Sequence, residues 1–240
     1  MGNYEEILWE GRIPLSSVIW TFDPNKTFKF SPLFEEQRQQ IWNAMCKTHP
    51  HLYDGQILIL NDFSFEKNIL KLNTWTIRFS CIQVFLKKNL EVPKFGGLGF
   101  QAIITDPTYS YLLIGERAHT SEYKPGYKAI PGGIFEESDS KKSLLEACLR
   151  ELKEEIQIDV NPESFFIIAM VREASKLGTC LIIEVETRED VSQQSLYGND
   201  EWESNQLEWI EFSQVFDLKH KHLTEGLHFL RSKLIEKNSL

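Results

Sequence analysis

The 240-residue sequence predicts an α+β fold, on three observations. Short apolar runs alternate with helix-like runs along the chain, proline and a glycine pair punctuate a boundary near residue 95, and a capped acidic helix follows a second glycine pair. On this reading residues 1–95 form a small α+β N-terminal module and residues 96–240 a larger domain.

In the N-terminal part, Val18 to Phe22 reads as a strand ended by Asp23-Pro24-Asn25. Ser31 before Pro32 supplies a cap and a proline at the first helical position, so Leu33 to Lys47 is predicted helical, closing near His49-Pro50. Tyr53-Asp54-Gly55 is a turn into the apolar run Ile57 to Leu60, Ile69 to Trp75 is a further strand, and Phe79 to Leu86 is a buried helix. Pro93 and Gly96-Gly97 mark the boundary.

Beyond it, Phe100 to Thr105 and Tyr111 to Gly115 read as strands joined through Asp106-Pro107-Thr108, and Arg117 to Pro125 as a polar loop. Lys128 to Ile130 is a short strand entering Gly132-Gly133, and Ile134 to Lys142 is loop. Ser143 with Glu146 three residues later makes a capping box that starts a helix, and Asn161-Pro162 stops it. Phe165 to Val171 and Thr179 to Val185 are strands around a turn at Lys176-Leu177-Gly178. A polar loop from Arg188 to Asn199, a last strand from Leu207 to Phe212 and an amphipathic helix from Leu223 to Lys237 complete the chain.

Composition narrows the function. A hydrophobic share of 42% with 25% charged residues is ordinary for a globular chain. The net charge of -9 argues against general nucleic-acid binding, which needs clustered Lys and Arg. Cys46, Cys81, Cys148 and Cys180 are widely spaced with no C-x-x-C, which points to reduced thiols and a cytoplasmic location. No apolar run reaches the roughly 18 residues of a membrane span, and the N-terminus lacks the pattern of a signal sequence.

The helix after Ser143 carries the chemistry. At about 100° per residue, Leu144, Leu145, Cys148, Leu149, Leu152 and Ile156 form one apolar stripe. Glu151, Glu154 and Glu155, at i, i+3 and i+4, share the neighbouring sector with the small Ala147 one turn earlier. Three carboxylates converging on one point repel unless a cation lies between them; the bland alternative is a solvated acidic face.

Strand pair, glycine pair, acidic loop and Arg150-Glu151-Leu152-Lys153-Glu154-Glu155 together resemble the Nudix hydrolase superfamily. Its signature runs G, five residues, E, seven residues, R-E-U-x-E-E-x-G-U, where U is a bulky apolar residue. Gly133 supplies the leading glycine and Ile158 the terminal apolar position. Three extra residues lie between Gly133 and Arg150, so counting back from Arg150 puts Lys142 where the first glutamate belongs, and Glu136, Glu137 or Asp139 takes its place. Gln157 stands where the family has glycine.

The resemblance implies an α/β/α sandwich with a mixed sheet and a metal-dependent hydrolase that cleaves a nucleoside diphosphate linked to another moiety, such as a nucleotide sugar or ADP-ribose. It implies Mg²⁺ or Mn²⁺ held by Glu151, Glu154 and Glu155 beside Gly133, with catalytic roles for Glu154, Glu155, Glu203 and the carboxylate-orienting Arg150. Glu203 is a metal ligand or the general base, and Asp200 and Glu201 lie close to it in sequence. Arg117 and Tyr127 are the substrate contacts that the pattern suggests. The N-terminal segment with the lengthened loop is similar to the subgroup that hydrolyses UDP-sugars. The alternative is a Nudix-like module that binds a nucleotide or partner without hydrolysis. The implied partner is a small nucleoside diphosphate compound, with no nucleic acid and no membrane; the sequence leaves the oligomeric state, a homodimer included, open.

Overall fold

The computed structural model describes residues 4–50, 52–90, 92, 94–119, 124–156, 160–173, 177–188, 204–219 and 222–238. Their strands are β1 (Tyr4–Pro14), β2 (Val18–Phe22), β3 (Gln56–Glu66), β4 (Ile69–Arg78), β5 (Gly97–Thr105), β6 (Tyr111–Arg117), β7 (Lys128–Ala129), β8 (Gly132–Ile134), β9 (Phe166–Glu173), β10 (Gly178–Glu186) and β11 (Ser204–Glu211). The helices are α1 (Pro32–Thr48), α2 (Phe79–Lys88), α3 (Leu144–Glu155) and α4 (Glu225–Asn238).

All strands join one mixed sheet with the main order β1-β9-β10-β5-β3-β4-β2, and β8, β6, β7 and β11 branch from β5. The β10–β5 and β2–β4 pairs are parallel, and the other strand pairs are antiparallel. Alternation along β5 sorts the two faces. Leu98, Phe100, Ala102 and Ile104 pack with Leu144, Ala147, Cys148 and Leu152 of α3, while Ile103 joins a cluster with Leu227 and Leu230 of α4. Strand β3 divides the same way, with Leu58 and Leu60 on the α3 side and Ile57 and Ile59 against Cys81, Ile82 and Phe85 of α2. Helix α3 thus covers one face, and α2 and α4 cover the other.

Local signals start both capped helices where expected. The Ser31 side chain accepts from Phe34 N–H at the start of α1, and Ser143 and Glu146 close a reciprocal capping box on α3. Helix α3 ends at Ile156 rather than at Asn161-Pro162, where Asn161 instead caps a single 3-10 turn. The loop after Gly133 also contains a 3-10 turn, Glu137–Lys141. Strand β1 has no counterpart in the sequence reading.

The described residues among the first 95 share sheet and core with the rest. Strand β1 pairs along β9, and β3 meets β5 where Ile59 faces Gly97. Trp20 Nε1 donates to the Lys142 carbonyl at 2.8 Å, and Leu58 N–H donates to the Phe135 carbonyl at 2.8 Å. Both contacts pin the lengthened loop. All four cysteines are free thiols, and among the described residues no helix is long and apolar enough to cross a membrane.

Candidate active site

Strand β8 lays its glycine pair against β5, with Gly132 opposite Gln101 and Gly133 opposite Phe100. A Cβ on Gly132 would stand 2.8 Å from Gln101 Cα, and one on Gly133 would stand 2.6 Å from the Glu151 carboxyl carbon. At Gly132 the approach of β5 backbone requires glycine, whereas at Gly133 the group met is the Glu151 side chain. The Gly132 N–H donates to Glu155 Oε2 at 2.7 Å, which ties the end of α3 to the strand.

The three glutamates share a helix face as their spacing requires, but a guanidinium gathers two of them. Arg150 Nη2 lies 2.5 Å from Glu151 Oε1, and Arg150 Nη1 lies 2.9 Å from Glu154 Oε2. Glu155 turns to Gly132 instead. Among the described residues no three acidic, imidazole or thiol groups stand close enough together to hold a metal ion. The expected convergence on one point is therefore a convergence on Arg150, because the charge nearest the two carboxylates belongs to the chain itself.

Arg150 is held in turn by Asp139. Its Nε and Nη2 donate to the two Asp139 oxygens at 3.1 and 2.7 Å. Asp139 is fully buried and also accepts from Glu136 N–H at 3.0 Å and from Lys142 Nζ at 3.1 Å. Burial alone would raise the Asp139 pKa, but the bonds from Arg150, Glu136 and Lys142 outweigh it and hold the carboxyl below its ordinary value. Of the three acids left open by the sequence, Asp139 is the one that meets the arginine. The signal was present: Asp139 follows Gly133 by the signature's own interval, counted forward from the glycine.

Glu151 has the opposite balance. Burial pushes its carboxyl up to about 7, and Arg150 offsets only part of that. Its side chain is 14% exposed, whereas Glu154 is 53% exposed.

These groups open onto a cavity of about 490 Å³ lined also by Gly99, Gln101, Arg117 and Thr224. Its far wall comes from the N-terminal part, through Tyr53 and the α2 residues Phe79, Ile82, Gln83 and Leu86. Sequence reasoning had no motif for that wall. Arg117 reaches the cavity, but Tyr127 does not line it: that ring stands edge-on to His222 with centroids 5.4 Å apart, because the chain enters β7 facing the segment before α4. Glu203, with its neighbours Asp200 and Glu201, lies outside the described residues, as do Gln157 and Ile158.

A mixed sheet flanked by helices, with a glycine-paired strand laid against a glutamate-bearing helix at a cavity, defines the class of Nudix-fold proteins. The NUDIX domain model matches residues 97–231, more than half of the chain, and the chain belongs to the Nudix hydrolase family, whose members cleave nucleoside diphosphates linked to another moiety. Solved structures similar to it include a MutT protein from Methanosarcina mazei Go1, 17% identical, covering 62% of this chain and 100% of that one with a TM-score of 0.41. A bifunctional NMN adenylyltransferase/ADP ribose pyrophosphatase from Francisella tularensis, complexed with AMP and a Mn ion, is 17% identical, covering 65% of this chain and 44% of that one with a TM-score of 0.46. The Nudix hydrolase RenU from M. Smegmatis is 20% identical, covering 75% of this chain and 95% of that one with a TM-score of 0.39. No curated protein matches the chain.

Proposed function

We propose that this chain is a metal-dependent diphosphatase that cleaves the diphosphate of a nucleotide sugar, ADP-ribose or a related nucleoside diphosphate. The observation that carries the reading is the meeting of Gly132-Gly133 with the carboxylates of α3 at the cavity. Glu151, Glu154 and Glu155 are hard oxygen donors on one helix face, and the missing Cβ at Gly133 lets the Glu151 carboxylate lie directly against the strand. Carboxylates of this kind suit Mg²⁺ or Mn²⁺ once Arg150 yields Glu151 and Glu154 to the ion. When bound, such an ion neutralises the diphosphate and lowers the pKa of the attacking water.

The chain's own groups supply the rest. Glu155 is oriented by Gly132 N–H, and Glu151 by Arg150, which Asp139 fixes in place. Glu154, the most exposed of the three, is free to exchange Arg150 for another cation at little cost, since exposed ion pairs contribute about 0–1 kcal/mol. Arg117 lines the cavity, where its positive charge suits a phosphate. Glu203 completes the set as ligand or general base.

Glu154→Gln and Glu155→Gln are expected to abolish Mg²⁺- or Mn²⁺-dependent phosphate release, read after phosphatase treatment of a panel of nucleoside diphosphate compounds, while circular dichroism shows an intact fold. Normal turnover by either variant would refute the site. Binding without turnover by the unmodified chain across the whole panel would favour a Nudix-like binding module instead.

A further inference from the structure

We propose that α2 carries the subsite for the nucleobase of the substrate and that the Gln83 side-chain amide reads the edge of that base. The inference rests on the diphosphatase reading above and assigns a role to the segment preceding the family domain.

Phe79, Ile82, Gln83 and Leu86 lie at i, i+3, i+4 and i+7, so they share one helix face, and all four line the cavity. The adjoining stripe of Cys81 and Phe85 is committed to the core with Ile57, Ile59 and Trp75. The helix is also bolted down at its start. Ser80 N–H and Oγ donate to the two Asp54 oxygens at 2.8 and 2.9 Å, and Phe79 N–H donates to the Gly55 carbonyl at 2.8 Å. Those bonds fix the turn that carries Tyr53, an exposed residue that lines the cavity. The cavity face of α2 is therefore held rigid.

Gln83 is the exception on this wall. Only 6% of it is exposed, and its amide has no hydrogen-bond partner among the described residues. The amide is not sealed in the core: it keeps access to the cavity, where a ligand can meet it. Around it the wall is mainly apolar, from Tyr53, Ile57, Phe79, Ile82, Leu86 and Leu177, with Glu136 and Glu173 at its margin. A sugar placed there would set much of its hydroxyl-bearing surface against apolar side chains. A nucleobase brings flat apolar faces and an edge with donor and acceptor side by side, which one primary amide meets with two hydrogen bonds.

Position relative to the carboxylates agrees. Gly97, Gly99 and Gln101 alternate onto the cavity side of β5, and Gly97 faces Ile59 beneath α2, whereas Gln101 faces Gly132. Four strand steps separate the two ends by about 13 Å. At the Gln101 end the lining turns polar, with Thr224 Oγ1 buried and unpartnered. The apolar end takes the base and the polar end takes the hydroxyl-rich moiety, with the glycine-lined stretch beside the carboxylates between them.

The test compares the full chain with Gln83→Leu on ADP-, UDP-, GDP- and CDP-glucose in Mn²⁺, resolving kcat from KM. The variant is expected to raise KM for the preferred base by roughly 5- to 100-fold, the loss of one paired amide contact. KM for the other bases changes less, kcat stays within about twofold because the reacting groups are untouched, and the melting temperature holds or rises. Gln83→Met, which keeps the length and removes the amide, serves if the leucine variant does not fold. An unchanged base preference overturns the proposal, as does an equal loss for every base. If the unmodified chain hydrolyses nothing in the panel, the diphosphatase reading fails on its own, and calorimetric binding of AMP, UMP, GMP and CMP decides the subsite. Binding weakened by Gln83→Leu sustains it; binding that is absent or unaffected overturns it.

Discussion

Replacing Asp139 with alanine tests the support under the site. The carboxylate is fully buried and takes four hydrogen bonds, two from Arg150 and one each from Glu136 N–H and Lys142. Removing one partner of a buried pair costs roughly 3–5 kcal/mol. Arg150 keeps Glu151 and Glu154, and its side chain is 27% exposed, so the lower end applies, about 3 kcal/mol. Asp139→Asn retains an acceptor for Glu136 N–H but loses the charge, and is expected to cost about 1.5–3 kcal/mol. Because the Asp139 pKa is held below its ordinary 3.8, its contribution is present above that pH and lost as pH falls through the lowered value. Urea unfolding of wild type and Asp139→Asn should therefore differ fully at neutral pH and converge below pH 4. An Asp139→Ala unfolding free energy within about 0.5 kcal/mol of wild type, or a gap that grows in acid, would refute the reasoning.

Gly133→Ala should cut turnover by an order of magnitude or more while changing stability little, because the new methyl meets the partly exposed Glu151 side chain, which can swing away from its place; a variant with wild-type kcat/KM would remove Gly133 from the site. Mg²⁺ affinity should depend on pH through Glu151, whose pKa burial lifts from 4.5 to about 7. A raised carboxyl pKa means the folded chain holds its proton more tightly than the unfolded one, so without metal the chain loses stability as pH climbs from 4.5 toward 7. Proton and cation compete for the carboxylate, so calorimetry should show affinity falling up to tenfold per pH unit below about 7. An affinity flat from acid to neutral pH would refute the assignment.

Much of the scaffold was legible because it is locally encoded. Ser31-Pro32 and the Ser143–Glu146 box bond within their own first turns, so both helix starts follow from a few adjacent residues. Strand β1 was not legible. Its charged residues, Gly11 and Pro14 obscure any alternation, and it sits at the sheet edge on a single partner, β9, that lies far along the chain. The stop of α3 was misplaced for a similar reason: Ile156 leaves the helix to enter the core, five residues before the Asn161-Pro162 signal. Tyr127 was assigned to substrate from its place before a strand, but the packing of His222 gives its ring another neighbour.

At Gly132-Gly133 and the glutamate helix that follows, the sequence by itself determined which carboxylates share a face. The spacing of Glu151, Glu154 and Glu155 shares one face on any regular helix, and Gly133 precedes it at the end of a strand. Only the tertiary structure decided what those carboxylates meet. Arg150 stands between two of them, Asp139 rather than Glu136 or Glu137 anchors that arginine, and α2 closes the cavity from the other end. These are contacts between segments distant in sequence, and they depend on how the faces of one sheet are covered, which no local pattern of residues encodes.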